Sequence, residues 1–273
     1  MEIPTFQTQK ELFDFLVSNK ETLITAKKAA IKHADGIMSL PVCNMIDITN
    51  KAEGESTDPN ILHVKAVINT TNILDSHGDV HWPGLWNKSL QETKQRILFL
   101  QEHDLSFKSI LAKGADLNVY VKTMTWKELG YDVEGTTEAL IFDATIKRNK
   151  TPEMFDRYKD KEVDNHSVGM RYVKVLLAIN NKDYGNEHDV WEKHIDKVIN
   201  RAAAESKGYM WIVKEAIPVE GSAVPLGSNF VTPTLSVSKL EPDTSTQKDN
   251  EPSVTLDELK SIIKEQFKTV LCQ

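Results

Sequence analysis

Residues 61–69 read ILHVKAVIN. In an extended chain Leu62, Val64, Ala66 and Ile68 fall on one side, while His63, Lys65 and Asn69 fall on the other. That period of two marks a strand with one buried face. Leu140, Phe142, Ala144 and Ile146 alternate in the same way, and β-branched or aromatic runs over 119–126, 168–179 and 211–219 add further strands. At least five strands between residue 61 and about residue 235 predict an α+β fold that is mainly β. The expected architecture is a closed or strongly curled antiparallel β-barrel surrounded by helices.

Helical patterns flank and interrupt the strands. Thr8 and Glu11 form a capping box for a helix over 8–34, with Leu12, Phe13, Phe15, Leu16, Leu23 and Ile24 as its apolar side. Residues 50–60, NKAEGESTDPN, form a polar break. Thr151-Pro152-Glu153 opens a helix with proline in its first turn. A longer helix is expected over 187–206, closed by Gly208. After Leu235 the chain is polar and charged, with too few apolar side chains to offset the entropy of ordering, so residues 236–254 read as a flexible linker. Thr255 and Glu258 then cap an amphipathic helix that ends the chain, over 255–273. The implied organisation is an N-terminal helical extension (1–60), a main domain (61–235), the linker and the last helix.

Composition narrows the function classes. The 273 residues are 40% apolar and 27% charged, enough for a real core. The net charge is −7 and the basic residues are scattered, which argues against a nucleic-acid partner. The longest apolar run, around Val173 to Ile179, is far short of the ~20 residues of a spanning helix, so no membrane partner is expected. An acidic residue at position 2 and no basic-then-apolar pattern argue against a secretory signal. Cys43 and Cys272 are too few and too far apart for a disulfide framework or a cysteine-based zinc site. No cofactor is expected.

Two stretches carry candidate chemistry: RILFLQEHDL at 96–105 and DNHSVGMRYV at 164–173. A serine hydroxyl needs a base, and histidine is the usual one because it titrates near neutrality. His166 adjoins Ser167, but neighbours on a strand point to opposite faces, so His166 should face away from the hydroxyl. The same reasoning removes Asp104 as the partner of His103. A working site would assemble from distant segments: His103, Ser167 and an acid, Glu220 or Glu215. Gly169 would share the face of Ser167 and let a substrate backbone approach. On residue types alone, eight histidines and 40 acids offer many such triples, and the plainer reading stands: His103 caps a strand, Ser167 begins one and Glu220 is solvated. A further candidate, His77, Asp79 and His81, could chelate zinc if the stretch were extended. Gly78, Pro83 and Gly84 instead favour a polar turn in which Asp75 and Asp79 bond local backbone N–H groups, and no metal site is assigned.

Four blocks in order, TTNILDSHGDVHWPGLWNKSL, ILFLQEHD, NHSVGMRYV and VEGSAVPLGSNFVTPTL, spread over residues 62–235. Together they resemble the head-maturation (prohead) proteases of tailed bacteriophages, which are similar in fold to the herpesvirus assemblin proteases. The resemblance implies an assemblin-like barrel and a serine endopeptidase. It makes Ser167 the nucleophile and His103 the general base. Glu220, in the Glu-x-Ser block, matches the orienting third member better than Glu215. It further implies cleavage of scaffold and major capsid proteins, and self-cleavage, inside an assembling procapsid in the host cytoplasm. Assemblin relatives dimerise, so a homodimer is among the implied assemblies. The competing reading is a non-catalytic capsid scaffolding or assembly protein with the same fold, suggested by the linker and terminal helix.

Overall fold

The structure is a computed structural model that describes residues 4–31 and 58–238. Its elements run, in chain order, α1 (Gln9–Ser18), α2 (Lys20–Ala29), β1 (Ile61–Thr70), β2 (Asp79–His81), α3 (Asn87–Thr93), β3 (Leu98–Gln101), β4 (Ile110–Lys113), β5 (Leu117–Thr125), β6 (Thr136–Lys147), α4 (Pro152–Lys159), β7 (His166–Ile179), α5 (Gly185–His194), α6 (Arg201–Lys207), β8 (Tyr209–Ala223) and β9 (Thr234–Ser238).

The capping box forms: Glu11 N–H donates to Thr8 Oγ1 at 3.2 Å, and Thr8 N–H donates to Glu11 Oε2 at 3.3 Å. The single helix read over 8–34 is two. Asn19 sits between them at φ −108° and ψ 12°, its amide donating to the Phe15 carbonyl at 2.9 Å. A side chain that bonds nearby backbone offers the chain an alternative to continuing a helix. The long helix over 187–206 is likewise divided into α5 and α6, separated by Ile195–Asn200. Phe13, Leu16 and Leu23 of the two N-terminal helices are buried in the same core as the strands.

The barrel expected from the strand pattern is absent. The strands form two separate sheets in a mixed α/β arrangement: four strands in the order β5-β6-β1-β9, and five built on β8. The first sheet is antiparallel throughout. In the second, β8 pairs antiparallel with β7 on one edge, and on the other it pairs parallel with two short strands, β2 near its start and β3 near its end; β4 pairs antiparallel with β3. Strand spacing shows why the sequence misled. Period two reports that one face is buried, not which strand lies alongside, and both a barrel and two packed sheets satisfy it. Here the sheets meet face to face: a Cβ on Gly221 of β8 would lie 2.6 Å from Phe142 of β6 and 2.8 Å from Ile68 of β1.

β9 extends to Ser238, past the boundary at 235. The proposed linker beyond it, the terminal helix over 255–273, most of the 50–60 break, Cys43 and Cys272 lie outside the described residues.

Candidate active site

The end of β8 places Glu220, Gly221 and Ser222 in the middle of three strands. Leu98, Phe99 and Leu100 of β3 lie beside Glu220, Gly221 and Ser222 on one edge. Gly169, Val168 and Ser167 of β7 lie beside the same three residues on the other. Alternation then divides the faces. Phe99, Gly221 and Val168 face the core, whereas Ser167, Gly169, Glu220 and Ser222 share the opposite face.

His103 reaches that face through a turn. Asp104 N–H donates to the Gln101 carbonyl at 3.0 Å, and the two central residues, Glu102 and His103, have φ values of 52° and 58°. Non-glycine residues pay for left-handed backbone, and such residues concentrate at functional sites. The result is that the chain leaving β3 folds back over β8. His103 Nδ1–H donates to Glu220 Oε1 at 2.7 Å, and the His103 backbone N–H donates to Ser222 Oγ at 3.1 Å. Ser222 Oγ–H in turn donates to Glu220 Oε2 at 2.6 Å. Both carboxylate oxygens are thereby held, one by the imidazole and one by a hydroxyl. Glu220 is buried, in contrast to the solvated acid of the plainer reading. It is Glu220 and not Glu215 that meets His103; Glu215 lies 3.7 Å from Lys88 Nζ.

Gly169 has a role different from the one its position suggested. A Cβ there would fall 1.9 Å from Glu220 Oε1, so glycine makes room for the carboxylate rather than for a substrate backbone. Beside it, Val219 is an extra residue in β8, since Gly169 pairs with Glu220 and Met170 with Pro218. A bulge of this kind re-aims neighbouring side chains, and proline there has no N–H to lose from the ladder. Gly169→Ala should displace Glu220 from His103. Under the endopeptidase activity that the sequence resemblance implies, the expected result is a loss of at least 100-fold in peptide hydrolysis with the protein still folded, measured as kcat/KM beside a far-ultraviolet spectrum; unchanged hydrolysis would separate Glu220 from that chemistry.

Ser167 stands directly across from Ser222. Cross-strand partners on one face have Cβ atoms about 5 Å apart, so the hydroxyl lies one strand away from the residue that the His103 backbone grips. Ser167 is 5% exposed. His166 faces the other way, as alternation requires. Its Nδ1–H donates to the Thr232 carbonyl at 2.9 Å and its Nε2 accepts from the Tyr158 hydroxyl at 3.0 Å, which makes it a neutral core residue with pKa lowered to about 4 by burial. Asp104 does not orient His103; it accepts from Ser106 and Ser109.

A second buried polar group surrounds the residues considered for zinc. Asp75 Oδ1 accepts from the backbone N–H groups of His77 and Asp79 at 2.9 and 2.8 Å, a local turn. Asp79 is ion-paired with Lys27 of α2 and accepts from the Tyr172 hydroxyl at 2.7 Å. His81 Nδ1 bonds Asn69 Oδ1 at 2.8 Å. Among the described residues no group of three or more His, Cys, Asp or Glu side chains is arranged to hold a metal ion. Sequence reading missed this network because Lys27 is 52 residues from Asp79, and nothing local joins them.

The network and His166 make stability depend on pH. Burial, and then the charge of Asp79, raise Asp75 to about 8. Burial also tends to raise Asp79, but Lys27 and the Tyr172 hydroxyl outweigh it and hold that carboxyl below its usual value. His81, like His166, is lowered to about 4 by burial. Between pH 4 and 6.5 the unfolded chain carries protons on both histidines that the folded chain lacks, and the folded chain carries one on Asp75 that the unfolded chain lacks. Among these three groups the net single proton favours unfolding as pH falls, and His194, also lowered by burial, acts in the same direction, so stability should rise with pH by at least about 1.4 kcal/mol per unit. From 6.5 to 8 only Asp75 differs, and stability should fall with a similar slope. Urea midpoints across this range should therefore peak near pH 6.5, and Asp75→Asn should remove the decline on the alkaline side.

No family model, curated protein or solved structure matches this chain. Among the described residues, no helix is long and apolar enough to cross a membrane.

Proposed function

We propose that the chain is a serine endopeptidase in which Ser167 is the nucleophile, His103 the general base and Glu220 the orienting acid. The observation that carries this reading is the part-buried 2.7 Å bond from His103 Nδ1 to the buried Glu220 Oε1, made on the sheet face that also bears Ser167. A carboxylate holding Nδ1–H fixes the tautomer in which Nε2 is the basic nitrogen. Ser222 supports the arrangement by occupying the other carboxylate oxygen.

In the proposed reaction Ser167 Oγ attacks the scissile carbonyl while its proton passes to His103 Nε2. The tetrahedral intermediate collapses with cleavage of the C–N bond, and the imidazolium returns the proton to the leaving amine. Water, deprotonated by the same imidazole, then releases the acyl group from Ser167. Glu220 stabilises the imidazolium in both halves without taking its proton. The reaction requires no cofactor.

The ordered sequence blocks extend the proposal to biology: the substrates are scaffold and major capsid proteins and the enzyme itself, cleaved within a phage procapsid in the host cytoplasm. The test is intact-mass analysis of the purified full chain after incubation, alone and with its capsid protein. New termini that appear with time are expected. A mass that stays constant for both proteins would instead favour the non-catalytic assembly protein.

A further inference from the structure

The sheet face that carries Ser167 continues past it as an open surface. Along β7, Ser167, Gly169, Arg171 and Val173 fall on that face, and Val168, Met170 and Tyr172 on the other. Burial follows the alternation: Met170 and Tyr172 are buried, whereas Arg171 is exposed and Val173 is 36% exposed. Ile217 of β8 lies directly across from Arg171, and it is 37% exposed between the buried Ala216 and Pro218. The same face extends sideways from the site. Gly169, Glu220, Leu98 and Lys113 stand in one row across β7, β8, β3 and β4. Lys113 is exposed, with its Nζ 5.8 Å from the centre of the Phe107 ring, itself 89% exposed.

Apolar side chains exposed beside one another mark a surface that another molecule covers. Here Val173 and Ile217 flank Arg171, and neither Arg171 nor Lys113 forms a salt bridge among the described residues, although the chain as a whole carries a net charge of −7. Two unpaired cations beside apolar side chains complement a partner that is apolar and acidic, because a guanidinium binds carboxylates through charge-assisted, often paired, hydrogen bonds. Continuity with the site sets the occupant. Arg171 follows Ser167 by four residues on the same strand and face, roughly 13 Å at about 3.3 Å per residue. An extended peptide with its scissile bond at Ser167, running along β7, brings the side chain about four residues away to Arg171.

We infer that the strip formed by Arg171, Val173 and Ile217 is where the substrate chain lies, and that Arg171 selects an acidic side chain about four residues from the scissile bond. The inference rests on the endopeptidase reading for its meaning, but its test does not use turnover. Full-length protein carrying Ser167→Ala is titrated with fluorescent twelve-residue peptides that share an apolar centre and carry Glu, Gln or Lys four residues before or after it. At one of the two positions the Glu peptide should bind at least tenfold more tightly than the Gln and Lys peptides, with the advantage shrinking as salt is raised. Adding Arg171→Glu, at an exposed position, should reverse the order so that the Lys peptide binds best. Adding Ile217→Ser instead should weaken all the peptides alike by about fivefold. Equal binding of the Glu, Gln and Lys peptides at both positions, a Glu preference that survives Arg171→Glu, or binding that Ile217→Ser leaves unchanged would overturn the inference. Constant mass in the incubation experiment would defeat the endopeptidase reading alone, because peptide binding is read without cleavage.

Discussion

Under the proposed endopeptidase reading, Ser167→Ala should lower peptide turnover by about 10⁶-fold, the usual cost of removing a nucleophile whose partners act as a unit. The magnitude follows from the arrangement. His103 and Glu220 are already bonded in the absence of substrate, and in the proposed reaction the pair serves to take a proton from one hydroxyl. Without that hydroxyl, the pair has no proton to move and no covalent intermediate forms. His103→Ala should cost nearly as much, and the double variant little more than either, because the losses are not additive. Glu220→Gln should cost less, about 10⁴-fold, by favouring the wrong imidazole tautomer. Ser222→Ala separates chemistry from positioning. That hydroxyl holds Glu220 and the His103 backbone, so its loss should shift the pH profile and reduce kcat while leaving the acyl-enzyme route intact. Initial rates on a peptide that the wild-type protein cleaves measure all five variants. Ser167→Ala retaining more than a hundredth of wild-type activity would remove Ser167 from its proposed role.

Lys27→Met destabilises the fold by about 3–5 kcal/mol, the range seen when one partner of a buried ion pair is removed. Asp79 is fully buried and the Lys27 side chain is only 14% exposed. Losing the ammonium leaves two buried carboxyls, Asp75 and Asp79, facing each other without their ion-pair partner, with Lys207 as the nearby cation that remains. Lys27 also lies 5.3 Å from the centre of the Trp211 ring, a contact that Met would replace in part. For a folded body of this size the loss should lower the melting temperature by on the order of 10 °C. The destabilisation should lessen towards acid pH, where Asp79 can take up a proton. A double variant, Lys27→Met with Asp79→Asn, should recover part of the loss, because the uncompensated charge is gone. A melting temperature unchanged by Lys27→Met would mean that α2 is not anchored through this pair.

The strands were legible because each buries one face, and alternation at Leu62–Ile68 and Leu140–Ile146 survives any arrangement of neighbours. Their closure was not legible. The parallel pairing of β2 and β3 along one edge of β8 joins residues more than a hundred positions apart, and no local pattern encodes it. Helix breaks at Asn19 and after His194 were missed for a related reason: the apolar spacing continues through them. At the site, strand alternation alone placed His166 on the far side of Ser167, and the Glu-x-Ser block singled out Glu220 over Glu215. The contribution of Gly169 was readable only in part. Its shared face with Ser167 was evident, but its purpose became clear only with the Glu220 side chain lying where a methyl group would be. The turn at Glu102 and His103 gave little signal, since neither glycine nor asparagine marks it and histidine is only modestly at home in left-handed backbone.

The most direct measurement is the reaction of the full chain with a fluorophosphonate, followed by peptide mapping of the adduct and measurement of its rate of formation. One adduct on Ser167 is expected, and His103→Ala should abolish its formation. An unmodified Ser167, or an adduct on another residue that His103→Ala leaves unchanged, would contradict the proposed convergence of residues 103, 167 and 220.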